Sequence, residues 1–137
     1  MKKIIFEIIA NIYQAMSKFF IHPSSDVQTK KIGIETVIWQ YVVVLKGAVI
    51  GKNCNLNSHT FVENDVIIGD NVTLKCGVYV WDGTIIEDNV FIGSNASLIA
   101  PIKLAKSSIV GAGSVITQSV KEKALAVERN LQKTFPN

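Results

Sequence analysis

Counting in sixes from Ile32 lands on an aliphatic residue every time: Ile32, Ile38, Val44, Ile50, Leu56, Val62, Ile68, Leu74, Val80, Ile86, Ile92, Leu98, Leu104, Val110 and Ile116. Four residues after each stands a small or β-branched residue, from Thr36 and Val42 through Cys54, Thr60 and Ala96 to Ser114 and Val120. A helix buries side chains on a period of about 3.6 residues and a plain strand on a period of two, so neither accounts for this beat. A β-solenoid does: each hexad is a short strand and a turn, with one large and one small side chain turned inward. Asn53, Asn71 and Asn89 recur at intervals of 18 and suit left-handed turn backbone. Three hexads per coil give a triangular prism of about five coils, stacking to roughly 24 Å at ~4.8 Å per strand pair. The spacing by itself does not set the hand of the coil.

The rest of the chain brackets this repeat. In residues 1–20, Ile5, Ile8, Ile9, Ile12, Met16 and Phe19 share one helical face, interrupted by Glu7, Asn11, Gln14 and Lys18. That is an amphipathic helix, expected as a cap or interface element. The interruptions argue against a signal peptide or a spanning helix, and a membrane-surface helix is the weaker alternative. Pro23 ends it, and residues 21–31 read as a linker, 32–121 as the β-helix and 122–137 as a tail. With a net charge of +3 and 18% charged residues, no basic patch points to nucleic acid. Two cysteines, Cys54 and Cys76, offer no disulfide framework, which fits a reducing cytoplasm.

His59 is the single base candidate inside the repeat with a neutral-range intrinsic pKa. Its ladder partners 18 residues away are Tyr41 and Gly77, and Glu63 and Asp65 follow closely. A carboxylate accepting the second ring proton would orient the imidazole. Trp39 and Trp81 each follow an inward residue and therefore point outward, and Phe61, Tyr79 and Phe91 occupy outward slots suited to a subunit interface. Only two histidines are present, His22 and His59, so a three-histidine zinc site is excluded and no metal is expected.

The pattern aliphatic–Gly–x–x–small–x resembles the hexapeptide-repeat acyltransferases, whose fold is an all-β left-handed parallel β-helix. Ile38 to Gly93, with "SHTFVEND" and "VWDG", is similar to N-acetyltransferases acting on nucleotide-linked amino sugars for bacterial surface polysaccharides. Gly93 to Gln132, with "ALAVERNLQ", is similar to the end of the glucosamine-1-phosphate acetyltransferase domain. The resemblance implies acetyl-coenzyme A as co-substrate, a homotrimer with active sites between subunits, and His59 as the base. It implies coenzyme contacts at Ser94, Ala112 and Arg129, with the backbone around Gly111 and Gly113 beside them. Glu63, Asn64, Asp65, Trp81 and Asp82 are the candidate sugar contacts. Two alternatives stay open at this point: acetylation of a sugar hydroxyl, and a β-helix that binds or scaffolds without catalysis.

Overall fold

The computed structural model describes residues 1–16 and 18–136, and for residues 10–16 the backbone alone. One helix, α1 (Lys2–Met16), precedes a succession of two-residue parallel strands. The strands stack into three sheets, the three faces of a prism. The first face holds Phe20–Ile21, Val37–Ile38, Asn55–Leu56, Thr73–Leu74, Phe91–Ile92, Ile109–Val110 and Leu125–Ala126. The second holds Asp26–Val27, Val43–Val44, Phe61–Val62, Tyr79–Val80, Ser97–Leu98 and Val115–Ile116. The third holds Val49–Ile50, Ile67–Ile68, Ile85–Ile86 and Lys103–Leu104, extended by single bridges from Ile32 to Ile50 and from Leu104 to Val120.

The hexad predicts the interior. In each strand from Ile38 to Ile116 the second residue is buried, and through Val110 the small slot four residues on is buried with it. Leu56, Leu74, Leu98 and Leu104 are fully enclosed, as are Thr36, Ala48, Ala96 and Ser108 in the small slots. Large and small side chains alternating inside a narrow triangle fill it at near-crystal density. Cys54 is one of the small-slot residues. Burial pushes its thiol up, and its Sγ lies 3.1 Å from the Gly69 carbonyl, so it packs as a weak donor.

The two ends depart from the count. The structure has six turns and the first strand of a seventh, where the beat of six predicts about five. The extra turn takes up the segment expected to be a linker and the end of the expected helix: α1 is Lys2–Met16, so Phe19 and Phe20 lie outside it. Phe20–Ile21 pairs with Val37–Ile38, and Asp26–Val27 with Val43–Val44, at an offset of 17 rather than 18. At the other end Val120 fills a strand slot facing Leu104, not the small slot after Ile116, and Leu125–Ala126 of the expected tail pairs with Ile109–Val110. The offset there is 16.

In α1, Ile4, Ile5, Phe6, Ile8 and Ile9 stay between 49% and 74% exposed, so this part of the helix is not buried against the prism. Ile12 and Met16, expected on the same face, lie outside the described side chains. Among the described residues no helix is long and apolar enough to cross a membrane.

Candidate active site

Three edges join the faces, and two of them turn through left-handed backbone once per coil, save in the first coil of the first-to-second edge. The edge between third and first faces carries Glu35, Asn53, Asn71, Asn89, Ser107 and Lys123, with φ between 51° and 63°. The edge between first and second faces carries Tyr41, His59, Gly77, Asn95 and Gly113, with φ between 56° and 72°. The second-to-third edge is less regular, with Gly83 as its left-handed residue at φ 82°.

His59 is exposed on the first-to-second edge, and its N–H donates to the Gln40 carbonyl of the preceding turn. The Tyr41 ring lies against the imidazole, with centroids 5.2 Å apart and planes at 38°. Beside it the Ser58 hydroxyl and the Cys76 thiol meet at 3.6 Å.

Further along the same edge come the expected carrier contacts. Ser94 and Ala112 occupy equivalent positions in successive turns, and the Gly113 N–H donates to the Ser94 carbonyl at 2.8 Å. Arg129, just past the last strand, folds back so that its Nε donates to the Ala112 carbonyl at 3.2 Å. Gly111 makes room for this: a Cβ there would stand 2.9 Å from Val127 Cγ2 and 3.4 Å from Arg129 Nη2. A Cβ on Gly113 would meet nothing within 4 Å, so the edge is open beside it. His59 and Gly113 are three turns apart, roughly 14 Å along the prism. The set fits a long phosphorylated thioester, with a guanidinium at one end and an imidazole at the other.

Two expectations about these groups need correction. The amides of Gly111 and Gly113 donate within the coil, to Ala126 and Ser94, and so are not available to the pantetheine or to an oxyanion. Nor do Glu63 and Asp65 orient His59. They follow the strand Phe61–Val62 and belong to the second-to-third edge, with the width of the second face between them and the imidazole.

That other edge gathers the expected sugar contacts. Glu63 Oε2 accepts the Asp82 N–H at 2.6 Å, and Asp82 Oδ1 accepts the Asp65 N–H at 2.7 Å. Asn64 Oδ1 accepts the Gly47 N–H at 3.1 Å. These side chains therefore close the turns as well as facing solvent, and only part of their hydrogen-bonding capacity remains for a ligand. Trp81 stacks on Tyr79 at 6.3 Å and meets Phe61 edge-on at 5.8 Å. Phe61 and Tyr79 share the second face as neighbours, whereas Phe91 lies on the first. Among the described residues no three His, Cys, Asp or Glu side chains cluster as a metal site.

A left-handed parallel β-helix built from six-residue units is the fold of the hexapeptide-repeat acyltransferases. The chain belongs to this family: residues 47–81 and 83–118, just over half of it, match the family model described as the hexapeptide repeat of succinyl-transferase. It is 44% identical to the bifunctional protein GlmU of Thermosipho melanesiensis over 107 residues, which is 77% of this chain and 21% of that protein. Across the first relatives the chain spans between 9% and 21% of their length. The acetyltransferase domain of PglB from Neisseria gonorrhoeae, in complex with acetyl coenzyme A, shares the fold with a TM-score of 0.77 at 23% identity, over 90% of this chain and 62% of that one. PerB from Caulobacter crescentus, in complex with CoA and GDP-perosamine, does so with a TM-score of 0.55 at 22% identity, over 81% and 54%.

Proposed function

We propose that this chain transfers an acetyl group from acetyl-coenzyme A to the amino group of a nucleotide-linked sugar destined for a cell-surface polysaccharide, as a cytoplasmic homotrimer. The observation that carries this reading is the single edge shared by His59, Ser94, Ala112 and Arg129. The coenzyme-bound neighbours, and the length of the match to a bifunctional GlmU, support it.

In this reading Arg129 holds the coenzyme's phosphates with charge-assisted hydrogen bonds, and the arm runs along the open edge past Gly113 towards His59. The thioester supplies the acetyl group. His59 takes the proton that the amine must lose as it attacks, and the imidazolium returns it to the leaving thiolate. No covalent enzyme intermediate is needed. The sugar contacts at Trp81 and Asp82 lie one face-width from His59 in the same subunit. In a trimer packed through its aromatic second faces, the second-to-third edge of one subunit meets the first-to-second edge of the next, and the two half-sites complete each other.

Calorimetric titration with acetyl-coenzyme A, with Arg129→Ala as control, is the first test. The expected result is saturable binding weakened about 10–100-fold by the substitution, the worth of a hydrogen bond to a charged group. No binding at millimolar coenzyme would leave a β-helical scaffold instead. A screen of amino against hydroxy sugars then separates N- from O-acetylation.

A further inference from the structure

Tyr41, His59, Gly77, Asn95 and Gly113 occupy one column, one residue per turn, all in left-handed backbone. Glycine takes that conformation freely and asparagine readily, but for a tyrosine it is an outlier. Tyr41 has φ 56° and is 60% exposed, so burial does not explain why an aromatic ring stands there. Gly77 and Asn95 show that the coil itself does not ask for one.

What the ring does touch is His59, at 5.2 Å between centroids. The backbone beneath it is braced by the first turn: the Tyr41 N–H donates to Ser24 Oγ at 3.4 Å, and that hydroxyl pairs with His22 Nδ1 at 2.8 Å. The imidazole has no hydrogen bond to another side chain among the described residues, because Glu63 and Asp65 sit on another edge and Glu63 Oε2 is bound to the Asp82 amide. Backbone strain kept at an exposed position, with a single ring contact to show for it, is how a site stores positioning rather than stability.

We infer that Tyr41 is a positioning residue for His59: its ring covers one side of the imidazole and fixes the ring's orientation on the edge, leaving both nitrogens uncommitted. This rests on the reading of His59 as the base. A general base contributes only when it is held within hydrogen-bond reach of the proton it removes, and here a tilted ring contact replaces the usual carboxylate partner.

The test compares Tyr41→Asn, which removes the ring and suits the left-handed backbone as Asn95 does, with Tyr41→Phe, which keeps the ring. Proton NMR of the His59 imidazole reports the ring contact through ring-current shifts, and steady-state kinetics with acetyl-coenzyme A and the accepted sugar report its consequence. Expected for Tyr41→Asn are an unfolding midpoint at or above that of the parent, displaced His59 resonances, and kcat lower by about 100-fold with both KM values unchanged. Tyr41→Phe restores the resonances and the turnover. Unmoved His59 resonances in Tyr41→Asn overturn the contact. Displaced resonances with unchanged kcat overturn its role, and a raised acceptor KM with unchanged kcat makes Tyr41 a substrate contact instead. A parent protein that neither binds acetyl-coenzyme A nor turns over removes the underlying reading and this one together, a result the calorimetry identifies separately.

Discussion

Two edges of the same prism make the same demand on the backbone and meet it with different residues. Along the third-to-first edge, Asn53, Asn71 and Asn89 are residues that left-handed turns prefer, and Asn53 Nδ2 donates to Asn71 Oδ1 at 2.8 Å. The neighbouring carboxylates join in, Asp70 Oδ1 accepting the Lys52 N–H and Asp88 Oδ1 the Asp70 N–H, each at 2.8 Å. Along the first-to-second edge a tyrosine and a histidine occupy turns that glycine and asparagine fill elsewhere, and the His59 imidazole is tied to no hydrogen-bonding side chain among the described residues. The difference separates construction from chemistry. Where turn residues suit the backbone and satisfy each other, the column holds the coil together. Glu35, Ser107 and Lys123 show that a left-handed turn alone is no mark of function; what sets the other edge apart is the ring contact between Tyr41 and His59.

The sharpest test of that contrast is His59→Asn, which removes the base while keeping a residue the turn accepts. Under the proposed function kcat falls by about 10²–10⁴-fold, and denaturant unfolding changes by less than ~0.5 kcal/mol. A stability loss comparable to the activity loss would erase the distinction between the edges.

On the opposite edge the order of effects reverses. Gly69→Ala puts a Cβ 2.4 Å from Asp88 Oδ1 and 2.9 Å from the Asp88 amide nitrogen, so backbone must move. The expected cost is about 1–3 kcal/mol in chemical denaturation, as for other overpacked sites, with coenzyme binding unchanged in the folded protein. Asn71→Ala follows, at about 1–2 kcal/mol for forcing alanine into left-handed backbone, again without a change in coenzyme affinity.

The smallest effect belongs to Glu87. The hydrogen bond from Lys103, and then that from the Lys106 amide, hold its carboxyl below the usual range. A depressed carboxylate pKa stabilises the fold above the unfolded value and loses that contribution as pH falls through the lower, folded one. Glu87→Gln is therefore expected to lower the melting temperature slightly at neutral pH and to converge with the parent in acid, once the pH has fallen below the usual carboxylate range, so that the acid limb of the profile is flatter. Added salt should shrink the difference further.

The interior was legible in the sequence because one beat decides which residues point inward, and between Ile32 and Ile116 nothing interrupts it. The ends were not. Val27 to Ile32 spans five residues and Ile116 to Val120 four, and a count in sixes passes over turns shortened in this way. Asp26, exposed in its strand, also reads as linker chemistry until its pairing with Val43 is known. Within the candidate site, intervals of 18 place His59 on the column that leads to Gly113, and Ser94 beside Ala112. The same arithmetic, applied to faces, would have moved Glu63 and Asp65 to another edge. What it cannot supply is orientation: the tilted contact of Tyr41 with His59 and the fold of Arg129 back onto Ala112 depend on side-chain directions that a repeat does not encode.

The uninterrupted turns between His59 and Gly113 also make the molecule a measuring device. Separation along the edge comes only in whole turns of about 4.8 Å. Excising one 18-residue unit would keep every inward slot filled while bringing imidazole and guanidinium one step closer. Reach along the edge is thus counted out in repeats, and evolution or an engineer can change it in steps without redesigning the core.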